Sequence, residues 1–296
     1  MIAGYNHLTQ PLENTWIFNA TTNSISLLTG WQTWSKPNDC NMIHILAIGP
    51  GGGGGNGIVK TAGATSGGGG GGGTSGYINL TIPAYLLPDT LYIRVGTGGT
   101  AGTLPPRYSI VVATTPTSVA SPWFSSLMYM DIPTGTVAGN GSAGGGVGGS
   151  AIGGLNIGPV GALGVSKITP GVAGQAGGLV ANYDQTGIVG GGAGGSLSST
   201  ANVTGNSITS AYKQQSSVVV VPGTAAGVTS KSGNGYSLFN PFQAFAGAGG
   251  ANNNTVAGSP GGDGGIGCGG GGGGCGLLTA GAGGLGGNAL VIITCW

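Results

Sequence analysis

Met42-Ile43-His44-Ile45-Leu46-Ala47-Ile48-Gly49-Pro50-Gly51-Gly52-Gly53-Gly54-Gly55 passes without a break from a β-branched apolar run into glycine. A short apolar run rich in isoleucine and closed by Gly-Pro reads as a buried, central strand. The glycines after it cannot continue as a helix, because each costs about 1 kcal/mol relative to alanine in a helix interior. The fold therefore turns on how a strand-forming chain accommodates long glycine runs.

Seventy-one of the 296 residues are glycine and only 4% are charged, against about a quarter charged in an ordinary domain. Collagen is excluded: runs such as Gly67 to Gly73 and Gly269 to Gly274 break the every-third-residue rule, and the 15 prolines are an ordinary number. Disorder is excluded too, since it goes with low hydrophobicity and high net charge; here the mean hydropathy is +0.27 and the net charge +1. An ordered glycine scaffold is left. Without Cβ atoms, extended three-fold helices can pack side by side through N–H···O=C and Cα–H···O contacts. The runs are thus expected to form polyglycine-II-like packed segments.

Outward from the opening stretch, Tyr77 to Ile82 and Leu91 to Val95 alternate polar and apolar residues as half-exposed strands do, with a Pro88-Asp89 turn between them. Arg107 to Val112 is a further strand candidate, and Ala289 to Trp296 is apolar enough for the middle of a sheet. No segment has the pattern of an amphipathic helix. The expected fold is all-β, a jelly-roll-like β-sandwich with packed glycine-rich segments and almost no helix. Residues 1–35 carry little glycine and read as an N-terminal arm or attachment segment. Residues 36–296 read as a glycine-rich β domain with inserts at about 104–134, 155–189 and 197–246.

The order Trp31-Gln32-Thr33-Trp34-Ser35-Lys36-Pro37, then Ile43 to Gly52, then Pro88 to Gly99, then Gly286 to Thr294 resembles the glycine-rich domain of phage tail-fibre and virion proteins. That resemblance covers roughly residues 31 to 296. It implies a β-sandwich joined to glycine-rich segments on the outside of a phage particle. Related phage adhesins stack polyglycine-II helices and place receptor-binding loops between their glycine motifs. This chain differs from them in having clear strands at both ends and no strictly repeated glycine motif.

Motifs for chemistry fail on context. Gly49 to Gly54 fits a dinucleotide-binding G-x-G-x-x-G after a strand, but that motif needs a helix next and an acid about 20 residues on. More glycine follows instead, and the next acid is Asp89. No glycine precedes a lysine, which removes the phosphate-binding P-loop. The histidines are His7, in the expected arm, and His44, in an expected strand, and no Gly-x-Ser-x-Gly elbow occurs. Glu13, Asp39, Asp89, Asp131, Asp184 and Asp263 are widely spaced, which opposes a calcium loop. Cys268 and Cys275 bracket six glycines, a spacing of neither zinc nor redox motifs. Cys40 and Cys295 would meet if residues 42–48 and 289–295 pair antiparallel, although a reducing cytoplasm makes free thiols the default. No catalytic residue, cofactor or metal is expected.

The scattered lysines and arginines oppose nucleic-acid binding. No apolar stretch approaches the ~20 residues of a membrane span, and the start of the chain lacks a secretory signal. The leading expectation is a non-enzymatic virion structural protein of a tail fibre, spike or capsid decoration, with a receptor- or carbohydrate-binding adhesin and a polysaccharide depolymerase as alternatives. Trp16, Phe18, Trp31 and Trp34 are the expected contacts to other virion proteins. Trp123, Phe124, Tyr129, Tyr183, Tyr212, Tyr236, Phe239 and Phe242 are expected to face a host glycan or protein. A homo-oligomer, with a trimer among the options, is expected in the virion.

Overall fold

The computed structural model describes residues 14–21, 29–59, 68–73, 77–102, 110–116, 126–130, 155–157, 179–180, 202, 204–205, 207–209, 219–239 and 242–296. Its strands are β1 (Thr15–Asn19), β2 (Trp31–Ser35), β3 (Met42–Ile48), β4 (Tyr77–Pro83), β5 (Thr90–Val95), β6 (Ile110–Ala113), β7 (Ser126–Met130) and β8 (Leu155–Ile157). They continue as β9 (Leu179–Val180), β10 (Ser207–Thr209), β11 (Val219–Val221), β12 (Ser237–Phe239), β13 (Phe242–Ala244) and β14 (Leu290–Cys295). No α-helix occurs among the described residues.

Two antiparallel sheets, of order β1-β14-β3-β4 and β2-β5-β6-β7-β8, form the sandwich. The apolar strands β3 and β14 take the middle of the first sheet, where both faces are covered, with Ile43 opposite Cys295 and Ile48 opposite Leu290. Strand alternation sends Ile43, Ile45, Ala47, Val291 and Ile293 inward to meet Leu91, Ile93, Ile110 and Val112 of the second sheet. A second core lies on the outer face of the first sheet, where Ile48 and Leu290 pack with Phe245, Ala246 and Cys268.

Two expectations are corrected here. Residues 15–19 and 31–35 are no detached arm: β1 pairs with β14 and β2 with β5. Period-two alternation turns Phe18 and Trp34 into the core, and Trp16 meets Trp34 edge-to-face with ring centroids 5.7 Å apart. The inserts likewise are not all outside the scaffold, because β6 and β7 build the second sheet. Nor is β5 half-exposed. Arg94 is fully buried on the outer face of its sheet beside Val111 and Ala113, which are buried as well. Its Nε donates to the Thr29 carbonyl at 3.2 Å, and loss of hydration lowers its pKa from the usual guanidinium value.

Three strands run directly into or out of extended glycine segments, β3 into 51–57, β5 into 96–102 and β14 from 281–288, and residues 68–73 form another such segment. Between segments the backbone bonds step by three residues, not two. The amides of Gly51, Gly54 and Gly57 donate to Gly287, Gly284 and Gly281 at 2.8, 2.9 and 2.9 Å. A stride of three is the repeat of polyglycine II. Residues 268–276 occupy the middle. Their amides donate to 51–57 (Gly270 to Gly52, 3.0 Å; Gly273 to Gly55, 2.9 Å) and to 258–265 (Gly271 to Gly262, 2.8 Å). Their carbonyls accept from 69–72, from 247–253 and from 281–287 (Gly72 to Gly270, 2.8 Å; Gly250 to Gly272, 2.8 Å; Gly284 to Gly271, 2.7 Å). Each segment is thus bonded on several sides, which two-dimensional strand ladders cannot achieve.

The approach leaves no room for a side chain. A Cβ at Gly271 would lie 2.0 Å from the Ala248 carbonyl oxygen, and one at Gly283 would lie 1.9 Å from that of Gly54. Gly271→Ala is expected to destabilise by about 3 kcal/mol or more, since backbone must move to admit it. Leu285→Ala, at an exposed position of the neighbouring segment, should stay within about 0.5 kcal/mol. Urea unfolding of both variants measures the contrast. Amide exchange offers a second check: Gly270, Gly271, Gly273 and Gly274 should exchange on the timescale of global unfolding, and fast exchange there would contradict a packed lattice.

Candidate functional site

The glycine lattice also explains where side chains are permitted. Along 257–266 every third residue from Ala257 (Pro260, Asp263, Ile266) is not glycine, with Ser259 the one other, and along 279–288 the same holds from Thr279 (Ala282, Leu285, Asn288), with Ala280 the one other. In a helix of three residues per turn, each set lines one outer edge. Thr279, Ala282, Leu285 and Asn288 are exposed, whereas Gly281, Gly284 and Gly287 between them are buried. Two parallel neighbouring segments, joined by Gly261 N to Ala282 O at 2.9 Å and Gly264 N to Leu285 O at 2.8 Å, so display rows of side chains with a repeat of roughly 9.3 Å.

The edge also needs acceptors for amides that have no neighbouring carbonyl. Asp263 Oδ1 accepts from Leu285 N at 2.9 Å, Asn56 Oδ1 from Gly283 N at 2.9 Å, Asn288 Oδ1 from Gly98 N at 3.0 Å and Asn234 Oδ1 from Asp263 N at 2.9 Å. Side-chain carbonyls thus stand in for the next glycine helix, satisfying groups that would otherwise go unpaired. Asp263 also pairs with Lys231 at 2.5 Å, a partly exposed ion pair of small energetic weight. The spacing of non-glycine residues carries the signal for these rows, but the unequal lengths of the glycine clusters conceal it.

Of the residues expected to form sites, the structure brings Trp16, Phe18 and Trp34 into one cluster and pairs Phe239 with Phe242. Trp34 and Phe18 are core residues, Trp16 packs against that core, and Trp31 packs against Val111 and Ala113 on the outer face of the second sheet. Phe18 and Trp34 are therefore buried, whereas Trp16 and Trp31 keep part of their surface exposed. Tyr236 is half open, its ring 4.7 Å from that of Phe245. Tyr129 falls in β7, and Phe239 pairs with Phe242 across the β12–β13 hairpin. Trp123, Phe124, Tyr183 and Tyr212 lie outside the described residues. The most exposed aromatic side chain among the described residues is Tyr85, in the loop before β5, which the sequence pattern does not single out.

His44 sits in β3 opposite Thr81 and Thr294. Gly51 to Gly55 belong to the lattice, where each turn of a nucleotide-binding loop would need space. Cys40 and Cys295 form a disulfide, which corrects the expectation of free thiols, since the β3–β14 register brings the two together. Cys268 and Cys275 are unbridged and buried. Among the described residues, no group of three His, Cys, Asp or Glu side chains could hold a metal ion, and no helix is long and apolar enough to cross a membrane.

The model of the glycine-rich domain family matches residues 26–296, nearly the whole chain and all of the lattice. The chain belongs to the glycine-rich domain family. No curated protein matches its sequence. The match to the glycine-rich domain family covers β2 to β14 and the glycine segments alike, while β1 precedes it. Within it, Asn56→Ala and Asp263→Ala should each cost about 1 kcal/mol by leaving a lattice amide without its acceptor. Asp263→Asn keeps an acceptor and loses only the Lys231 pair, so it should stay within about 0.5 kcal/mol. Thermal unfolding of the three variants provides the comparison.

Proposed function

We propose that the protein is a non-enzymatic structural component of a phage particle, forming a rigid exterior scaffold in a tail fibre, spike or capsid decoration. One observation carries this reading: residues 268–276 are bonded by backbone to five neighbouring segments of the chain, with no space for a Cβ at Gly270, Gly271, Gly273, Gly274 or Gly276. Such a body gains stiffness from hydrogen bonds in three dimensions and holds its surface rows in fixed register. A scaffold that carries load or presents surfaces needs those properties. The low charge suits a subunit that lives in an assembly, since little repulsion opposes close contact between copies.

Two of the three acids that the structure describes fit structural roles. Asp89 pairs with Lys36 in the loop before β5 at 3.0 Å, and Asp263 is engaged with Lys231 and the Leu285 amide on the lattice. The Cys40–Cys295 bond suits a finished particle outside the cell, where disulfides persist. The partners proposed are other virion proteins and further copies of this chain. With Trp34 committed to the interior and Trp16 and Trp31 partly covered, contacts would come from the third-position rows and the loops.

The test is direct. Purified phage particles carrying this gene should contain the chain in stoichiometric amount by mass spectrometry, and antibody raised against it should label the particle exterior in electron micrographs. Recovery of the chain only from infected-cell lysate, with none in particles, would overturn the proposal.

A further inference from the structure

The end of the sandwich away from the glycine lattice is built from three chain segments: the loop 36–41, the loop 84–89, and the residue after β14. The strand registers bring them together, with Met42 opposite Pro83, Ile43 opposite Cys295 and Ser35 opposite Thr90. Asn41 is the hinge pin of this end. Its carbonyl accepts from Ala84 N at 2.8 Å, and its amide donates to Trp296 O at 2.8 Å. Lys36 Nζ donates to the carbonyls of Ala84 and Leu87 at 3.2 and 2.8 Å and pairs with Asp89 at 3.0 Å. The Cys40–Cys295 disulfide ties the first loop to the end of β14.

On this knitted base the side chains point outward. Tyr85 is 82% exposed, Leu86 53% and Trp296 46%, although such large apolar groups are usually covered. Asn38, Asp39, Asn41 and Asp89 are exposed around them. The 3-10 turn Ala84–Leu86 is held from below by Lys36, which donates to the carbonyls of Ala84 and Leu87, so Tyr85 is presented by a tethered turn.

We infer that this pole is a binding site for neutral hexopyranose glycans, with Tyr85 and Trp296 as stacking surfaces. Aromatic faces carry negative quadrupole charge and attract the C–H face of a pyranose ring. Carboxamides and carboxylates at their rim supply the donors and acceptors that hydroxyl groups need. Lys36 offsets the charge of Asp89, so exposed Asp39 leaves the rim with a net negative charge, which disfavours sialic and uronic acids. A protein partner is less suited, since the exposed apolar side chains are few and specific protein interfaces bury on the order of 1,000 Å² or more. Because the base is tied by backbone bonds and a disulfide, little ordering is needed on binding. This inference does not depend on where the protein sits in a particle.

A glycan array probed with the full chain tests it, followed by titration calorimetry with the saccharides that score. Neutral hexose glycans should bind, and Tyr85→Ala and Trp296→Ala should each weaken binding at least tenfold. Tyr85→Ala should leave the unfolding midpoint unchanged, because the side chain packs against little, so loss of binding there cannot be loss of fold. Leu285→Ala, on the lattice, should bind as the wild type does. The inference is overturned by an array with no neutral saccharide bound, by binding confined to acidic glycans, or by undiminished binding in Tyr85→Ala.

Discussion

The structure depends on one short-range constraint, the N–H···O=C bond between extended backbones that lie too close for a Cβ atom. Where carbonyl oxygens sit about 2 Å from the position a Cβ would take, as at Gly271 and Gly283, only glycine is compatible. Glycine surrenders more backbone entropy on folding than any other residue, and its burial removes little apolar surface from water. The lattice must therefore be held by the density of its hydrogen bonds and by whatever fixes its ends. Both conditions are met: bonds run in several directions from residues 268–276, and the sandwich strands β3, β5 and β14 are continuous with lattice segments.

Sandwich and lattice divide the energetic work between them. The sandwich core of isoleucine, valine, leucine and Trp34 supplies the hydrophobic term that glycine cannot. The second core, where Ile48 and Leu290 meet Phe245 and Cys268, sits at the junction and couples them. Side chains return at the lattice edge, where a third of the positions face outward and asparagine or aspartate replaces the absent neighbour. A body built this way has few soft directions, because bending one glycine helix strains its bonds to several others. Exposed side chains are displayed at the lattice edges and on the loops at the far end of the sandwich, which rest on this frame.

Much of this was legible from the residues. Isoleucine-rich runs followed by glycine marked β3 and β14 as central strands, and hydropathy without charge showed that the glycines are ordered. The opposite faces of β1, β2 and β5 were harder. Trp16, Phe18 and Trp34 look like surface aromatics in a glycine-poor segment, yet period-two alternation opposite a second sheet makes them core. Arg94 reads as the solvent side of an alternating strand, but the outer face of its sheet is covered. Neither fact follows from local pattern, since burial depends on what packs above a strand.

By itself, then, the sequence determined the class of structure: all-β, with almost no helix and with packed polyglycine, because glycine's backbone preferences and the β-branched runs act locally. The three-residue spacing of Ala257, Pro260, Asp263 and Ile266 also belongs to the sequence, as a record of which lattice edge faces out. Tertiary structure alone decided which glycine segments are neighbours, that Cys40 meets Cys295, and that Tyr85, Asn41 and Trp296 share one pole. The reason is physical. Glycine segments are chemically alike and carry no side chains to choose a partner, so their neighbours are set by the strands that deliver them and by the register in which those strands pair.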